Sequence, residues 1–371
     1  MRRVRMNYRR AMALLPWKKR ALPYKHGLLL QWHITDRCGQ RCAHCYQDSY
    51  GGGGELPLAA LMDILGQYKA LLEDLRGQDG APARGHITLA GGEPFARGDI
   101  WDLLKAISGE GGLFSFGLLT NGSYLDRPAI RRLRGLNPRF VQVSLDGDRE
   151  THDSLRGAGD YGRVVGVLKS LCAEGIFTMI SFTAAAGNYR QFPHVARLGR
   201  ALGVGKVWTD RMIPLGHGAA MAPMDTAMTA EYIKIVAEEK RLAEKSYLCK
   251  TEVGADRALQ FMDAGGKPYR CRAGESLITI MPDGTLFPCR RMPIGCGNVM
   301  EASLASLYHG GELMKSLRDR GRIPEGCRGC AYSRFCSGGL RCMSAAVCGD
   351  PFRADPGCPL AGERKEASFI L

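Results

Sequence analysis

Three cysteines fall within eight positions in Cys38-Gly39-Gln40-Arg41-Cys42-Ala43-His44-Cys45-Tyr46, directly after the apolar run Leu28 to Ile34. A loop this short can present three thiolates to one metal centre, and thiolates are soft ligands that favour iron–sulfur clusters or zinc. A closed structural zinc site wants a fourth ligand nearby. The local candidate is His44, pinned between two of the cysteines in a C-x3-C-x2-C spacing. The alternative is a cubane with three protein ligands, which leaves one iron open to a small molecule.

The chain has 371 residues and fourteen cysteines, many for a protein without disulfides. No secretory signal precedes them: the apolar piece Ala11 to Leu15 is short and is broken by Pro16 and Lys18-Lys19-Arg20. No apolar run is long enough to span a bilayer. A cytoplasmic, reducing setting follows, in which clustered cysteines point to metal ligation. Cys172 is the exception, lying on the helical apolar stripe Val164, Val167, Leu168, Leu171 as ordinary core packing. The formal net charge is +14, and nine basic residues with no acidic one precede His26. Such an arm is either solvated or a handle for an acidic partner: a peptide, a polycarboxylate or an anionic lipid surface. Without an aromatic RNA-binding signature, no nucleic-acid partner is expected.

Beyond the arm (residues 1–27), strand-like and helix-like segments alternate. Strands are expected at Leu28 to Thr35, Ile87 to Leu89, Phe114 to Leu119, Phe140 to Leu145, Phe177 to Phe182 and Val207 to Trp208, each followed by a helical pattern. Six such units point to a parallel sheet with right-handed crossovers, an open (β/α)6 barrel rather than a closed one of eight. That α/β domain covers residues 28–245. The remainder, 246–371, is dense in cysteine, glycine and proline and reads as a small domain held more by metal than by a core. Glycine and polar motifs fall at the strand ends: Gly91-Gly92-Glu93-Pro94, Thr120-Asn121-Gly122, Ser144 with Asp146, and Asp210 with Arg211. Barrel active sites are assembled there. The two glycines let backbone approach a ligand, and Glu93 with nearby carbonyls can receive an ammonium group.

The three-cysteine loop followed by an aromatic, with GGEP after the second strand, resembles the signature of the radical S-adenosylmethionine enzymes. The resemblance implies that Cys38, Cys42 and Cys45 hold a [4Fe–4S] cluster whose open iron binds S-adenosylmethionine. Tyr46 then corresponds to the aromatic that lies against the adenine, and Gly91, Gly92, Glu93 and Pro94 to the site for the amino group. Thr120, Asn121, Ser144 and Asp146 match cofactor-contact positions, the last two suiting ribose hydroxyls or, alternatively, a helix N-cap. Reduced, such a cluster cleaves S-adenosylmethionine to a 5′-deoxyadenosyl radical, which abstracts hydrogen from the substrate.

Downstream, Cys271 is followed by twelve residues, Gly284, four residues and Cys289, and then by Cys327-x2-Cys330-x5-Cys336, Cys342, Cys348 and Cys358. This is similar to the SPASM extension, which binds auxiliary iron–sulfur clusters in radical S-adenosylmethionine enzymes that modify peptides and proteins. Carried over, Cys327, Cys330, Cys336 and Cys358 hold an outer cluster, and Cys271 and Cys289 a nearer one. The family expects a further cysteine at the position of Leu340. Cys342 replaces it if the backbone bulges, with Cys348 as a second possibility and Cys249 and Cys296 as further candidate ligands. The nearer cluster is thus either incomplete or open at one iron.

The implied function is a maturase acting on a ribosomally made peptide, installing a thioether, a carbon–carbon crosslink or an oxidation. The alternatives are a tetrapyrrole or other small polycarboxylate as substrate, an anaerobic sulfatase-type protein maturase, or a non-catalytic iron–sulfur carrier. Intact GGEP and strand-end polar residues argue against the carrier. Arg211 is a candidate for meeting a substrate carboxylate and Asp210 for accepting a proton. The expected partners are the peptide or small protein and a reductant such as flavodoxin or ferredoxin; the 27-residue arm is too short for a winged-helix leader module, so a leader is bound by the arm, by the barrel face or by a separate leader-binding protein.

Overall fold

The computed structural model describes residues 27–75, 80, 82–110, 112–246, 250–254, 259–264 and 268–362. The basic arm up to residue 26 and Cys249 lie outside the described residues. Strand β1 (Leu28–His33) is followed by α1 (Leu58–Asp74), β2 (Gly85–Ala90), α2 (Ile100–Gly109), β3 (Phe114–Thr120), α3 (Arg127–Gly135) and β4 (Phe140–Ser144). Then come α4 (Arg149–Arg156), α5 (Asp160–Ala173), β5 (Thr178–Ala184), α6 (Phe192–Leu202), β6 (Lys206–Arg211), α7 (Thr226–Lys245) and β7 (Glu252–Gly254). All six expected β–α units are present.

Helix starts follow local chemistry. Asp126, Asp148 and Asp225 each accept a hydrogen bond from a first-turn amide of α3, α4 and α7, satisfying donors that have no partner inside the helix. In α1, Leu61, Ile64, Leu65, Tyr68, Leu71 and Leu72 recur at helical spacing and are buried. The Tyr68 hydroxyl donates to the Leu28 carbonyl at 2.7 Å and accepts from the His86 amide at 3.1 Å, pinning α1 across β1 and β2.

The sheet runs in the order β7-β6-β5-β4-β3-β2-β1 and continues on the far side of β1. There β8 (Leu277–Ile280) pairs with β1 in parallel, and β9 (Leu286–Phe287) pairs antiparallel with β8. Neither end strand closes on the other, so the fold is a partial TIM-like barrel. The cysteine-rich segment therefore contributes strands to the same sheet. Its helices α8 (Leu304–Gly310) and α9 (Glu312–Arg318) bury Leu304, Met314 and Leu317 in the core that the barrel also uses. Gln67 of α1 grips this segment twice, donating to the Val299 carbonyl at 3.0 Å and accepting from the Leu304 amide at 2.8 Å.

Two faces of the sheet differ in chemistry. Leu30, Trp32, Ile87, Leu89, Leu118, Val141, Val143, Ile180, Phe182 and Val207 lie on the face packed under the helices and are fully buried. The strand register puts Gln31, Thr88, Gln142, Ser144, Ser181, Thr183 and Trp208 on the opposite, inner face. The same register puts Leu119, Phe140 and Met179 there, so the inner face is mixed, unlike the apolar strands of a parallel sheet covered on both sides. Among the described residues, no helix is long and apolar enough to cross a membrane.

At the end of β6, Arg211 forms a two-pronged pair with Asp355 of the C-terminal segment, and the two side chains are 4% and 0% exposed. Removing one partner strands a buried charge. Asp355→Ala is expected to destabilise the fold by about 3–5 kcal/mol, whereas Arg211→Met combined with Asp355→Asn, which keeps an acceptor for the Leu340 and Gly357 amides, recovers part of that loss. Thermal unfolding of the single and double variants checks both outcomes.

Candidate active site

The cluster loop leaves β1 at His33 and returns at α1. Its two ends are clamped by Arg97, just past GGEP, whose guanidinium donates to the Ile34 carbonyl at 3.0 Å and the Leu56 carbonyl at 2.8 Å. Neighbouring segments hold the loop in between. The Ala43 amide donates to Leu155 O at 2.9 Å, and the Gln40 side chain to Asp160 at 2.8 Å. The Gly218 amide reaches Cys45 O at 2.9 Å.

Within that frame Cys42 is buried, Cys38 and Cys45 are half-buried, and the three thiols are electrostatic neighbours. Burial pushes the Cys42 thiol up to about 11, so its thiolate form needs a cationic centre beside it. His44, the local candidate for a fourth zinc ligand, is held by Asp146 and Arg156 instead. Zinc–sulfur bonds are only about 2.3 Å, whereas a cubane spreads its thiolates around a larger core. The donor set thus fits an iron–sulfur cluster.

His44 is not turned to the thiols. Its Nε2 lies 3.3 Å from Asp146 and 3.3 Å from the Arg156 guanidinium. Arg156 in turn ion-pairs with Asp146 and donates to the Cys42 sulfur at 3.7 Å. Asp146 also accepts from the Thr183 amide at 2.8 Å. Burial opposes ionisation of this carboxyl, but Arg156 and His44 hold it far below the ordinary carboxylate range. The side chain is fully buried and bound to Arg156, and its work is to brace the cluster loop from the end of β4. Ser144 lies two residues earlier on the inner face, half-buried. The N-cap of α4 is Asp148, so the alternative capping role belongs to neither.

Gly91 and Gly92 pack closely on protein backbone. A Cβ on Gly91 would sit 2.4 Å from Thr35 O and one on Gly92 2.5 Å from Arg37 O. Amides of Gly92 and Glu93 donate to those same carbonyls at 2.8 Å. The motif thus zips the end of β2 onto the base of the cluster loop. Pro94 is buried and opens a single 3-10 turn. Glu93 is fully buried and accepts from Thr120 Oγ1 at 2.8 and 2.9 Å and from the Asn121 amide at 2.7 Å. Asn121 completes the link by donating to the Cys38 sulfur at 3.7 Å. Two motifs separate in sequence thereby form one hydrogen-bonded unit against the thiols.

The Tyr46 ring is covered by the Arg290 guanidinium at 4.6 Å and meets His33 edge-on at 6.1 Å. The next residue, Arg291, pairs with Asp210. Asp210 and Arg211, expected to serve a substrate, are thus both engaged by the C-terminal segment. Each is buried, and a buried charge is tolerable only with such a partner.

The auxiliary cysteines divide into two groups. Cys327, Cys330, Cys336 and Cys358 line one pocket whose other walls include Leu259, Phe261 and Gly338. Cys342 faces Cys289 and Cys271, its thiol pushed up to about 12 chiefly by burial. Ser337, Gly338 and Gly339 have φ of 54°, 91° and 82°, three consecutive left-handed residues that re-aim the chain before α10 (Arg341–Cys348). Leu340 is buried, and its amide donates to Asp355 at 3.0 Å. Cys348 lies six residues beyond Cys342, about 240° round the helix and so on another face. Cys296 is raised to about 11 by burial alone, with its sulfur on the Ile294 carbonyl. Neither joins a group.

Sequence reasoning missed Arg97, Arg156, Arg290 and Arg291. Helix α4, which carries Arg156, is almost wholly polar and shows no apolar period; its one signal was the Asp148 cap.

A family model described as the radical SAM superfamily matches residues 32–189, and one for an iron–sulfur cluster-binding domain, SPASM, matches residues 271–331. The chain belongs to the radical SAM superfamily. This radical SAM enzyme uses an iron–sulfur cluster with S-adenosylmethionine, and its SPASM region binds auxiliary iron–sulfur. It is 23% identical to an AdoMet-dependent heme synthase of Methanosarcina barkeri, covering 89% of this chain and 95% of that one. It is 27% identical to mycofactocin maturase MftC of Mycobacterium ulcerans, covering 87% and 85%. Among solved structures, Streptococcus suis SuiB bound to S-adenosylmethionine superposes with a TM-score of 0.69 at 17% identity, over 90% of this chain and 77% of that one. A TM-score of 0.69, again at 17% identity, relates it to anSMEcpe with bound AdoMet and a Cp18Cys peptide, over 90% and 94%. These structures share its fold.

Burial pushes the Glu93 carboxyl up from 4.5 to about 7, against the opposing hydrogen bonds from Asn121 and Thr120. Between those values the folded protein holds the proton more tightly than the unfolded chain. Stability therefore falls as pH rises through about 7, by about 3 kcal/mol from this group. Glu93→Gln is expected to flatten that slope, as read by thermal unfolding of the ligand-free protein across this pH range.

Proposed function

We propose that this radical SAM enzyme modifies a ribosomally made peptide. Cys38, Cys42 and Cys45 are assigned to the S-adenosylmethionine-binding cluster, and Cys327, Cys330, Cys336 and Cys358 to an outer auxiliary cluster. Cys271, Cys289 and Cys342 are assigned to a nearer one with three protein thiolates. Bound there, S-adenosylmethionine and its cluster supply a carbon radical able to take hydrogen from an unreactive C–H bond. This chain's own part is to orient and to exclude water. Thr120, Asn121 and Glu93 set the backbone beside the thiols. The Arg290–Tyr46 stack closes one side of the mouth.

One observation carries the choice of substrate. Around the strand ends, Arg156 is committed to Asp146, Arg211 to Asp355 and Arg291 to Asp210, while Arg290 lies on the Tyr46 ring. The inner face carries Gln31, Gln142, Ser144, Ser181 and Thr183, interleaved with Leu119, Met179 and Trp208. Amides and hydroxyls of this kind suit the backbone of an extended peptide, whereas a polycarboxylate wants unpaired cations. SuiB with its precursor peptide SuiA supports the same reading. A tetrapyrrole substrate is the second reading, favoured by relatives named AdoMet-dependent heme synthase and Fe-coproporphyrin III synthase. A flavodoxin or ferredoxin is the reductant proposed, and a separate protein or the barrel mouth the site for a leader peptide.

Anaerobically reconstituted protein given dithionite is expected to release 5′-deoxyadenosine from S-adenosylmethionine, with release abolished in Cys38→Ala. Co-expression with short peptides encoded beside the gene is expected to change a peptide's mass by two hydrogens per new bond. Turnover of an iron tetrapyrrole with no peptide modified would select the second reading.

A further inference from the structure

Arg341 is among the largest fully buried side chains, at 2% exposure. One terminal nitrogen donates to the Leu317 carbonyl at 3.2 Å, and Nε has no partner. The guanidinium also lies 5.2 Å from the Phe352 ring centroid. Arg97, Arg156, Arg211 and Arg291 each meet a carboxylate. Arg341 does not pair with one among the described residues. Of the charged groups around it, Arg270 and Arg322 are cations as well, and the carboxylate of Glu275 is bound by Arg270 at 3.5 Å and Arg320 at 3.0 Å. The remaining neighbour is the Cys271 thiol. Cys342 follows Arg341 directly in α10, and Cys271 and Cys342 face each other with Cys289.

A guanidinium this deep, with one carbonyl and a distant ring for company, is strongly unfavourable in isolation. Three thiolates on a [4Fe–4S]2+ core leave a net charge of −1, and one-electron reduction makes it −2 with no bond made or broken. A fixed cation nearby favours both states and the reduced one more.

We propose that Arg341 is a positioning residue for the iron–sulfur centre of Cys271, Cys289 and Cys342, acting as its buried counter-charge and raising its reduction potential. This rests on those cysteines holding a centre. Cys342→Ala tests that premise separately, through loss of iron and of one electron-paramagnetic signal. The peptide assignment is not needed.

The test is a redox titration of the full, anaerobically reconstituted chain followed by electron paramagnetic resonance. In Arg341→Met, the signal that Cys342→Ala removes is expected to titrate at lower potential, while the others stay in place. Arg341→Lys, which keeps the charge, is expected to restore much of the wild-type value. An unshifted signal in Arg341→Met at full iron content overturns the proposal. So does an equal shift in the Met and Lys variants, or a common shift of all signals. Should Arg341→Met not accumulate folded, Arg341→Gln carries the same comparison.

Discussion

Buried charge organises this molecule. The strand ends that form the mouth of the barrel carry Asp146, Asp210 and Arg211, all buried, and none is tolerable there without a partner of opposite sign. Each partner comes from another segment: Arg156 from α4, Arg291 from the loop after Cys289, and Asp355 from near the C-terminus. The barrel and the cysteine-rich segment are thereby tied at the point where the chemistry has to occur. Packing of α8 and α9 on the barrel core supplies the area; the ion pairs supply the registration.

The same economy holds the thiols. Cys38 receives Asn121, and Cys42 receives Arg156. Glu93 and Asp146 fix those two donors in turn, the first through Thr120 and the amide of Asn121, the second by direct pairing. Partners behind a ligand orient it and tune its basicity. Glu93, Thr120, Asn121 and Asp146 thus brace the cluster loop through the donors to its thiols. The stack of Arg290 on Tyr46 links that loop to Cys289, so the two metal-binding regions share a wall.

Much of this was legible in the order of residues. Alternating strand and helix patterns gave the β–α units, because a parallel strand buried on one face is written in β-branched and apolar runs. The motif positions followed, since each ends a strand. Strand β7 was not legible: three residues, Glu252–Gly254, carry no period to read. Nor was the pairing of β8 with β1, a contact between residues about 250 positions apart.

By itself the sequence determined the cysteine spacings and the strand-end motifs, and with them the superfamily, because ligand chemistry depends on which residue types stand a few positions apart. Which carboxylate meets which arginine was decided only by the tertiary structure. Arg211 and Asp210 stand free on paper; in the fold they are neutralised by Asp355 and Arg291, which lie 144 and 81 residues away. A pairing of that kind depends on burial and on chain reversal through the whole sheet, and neither is written in local spacing.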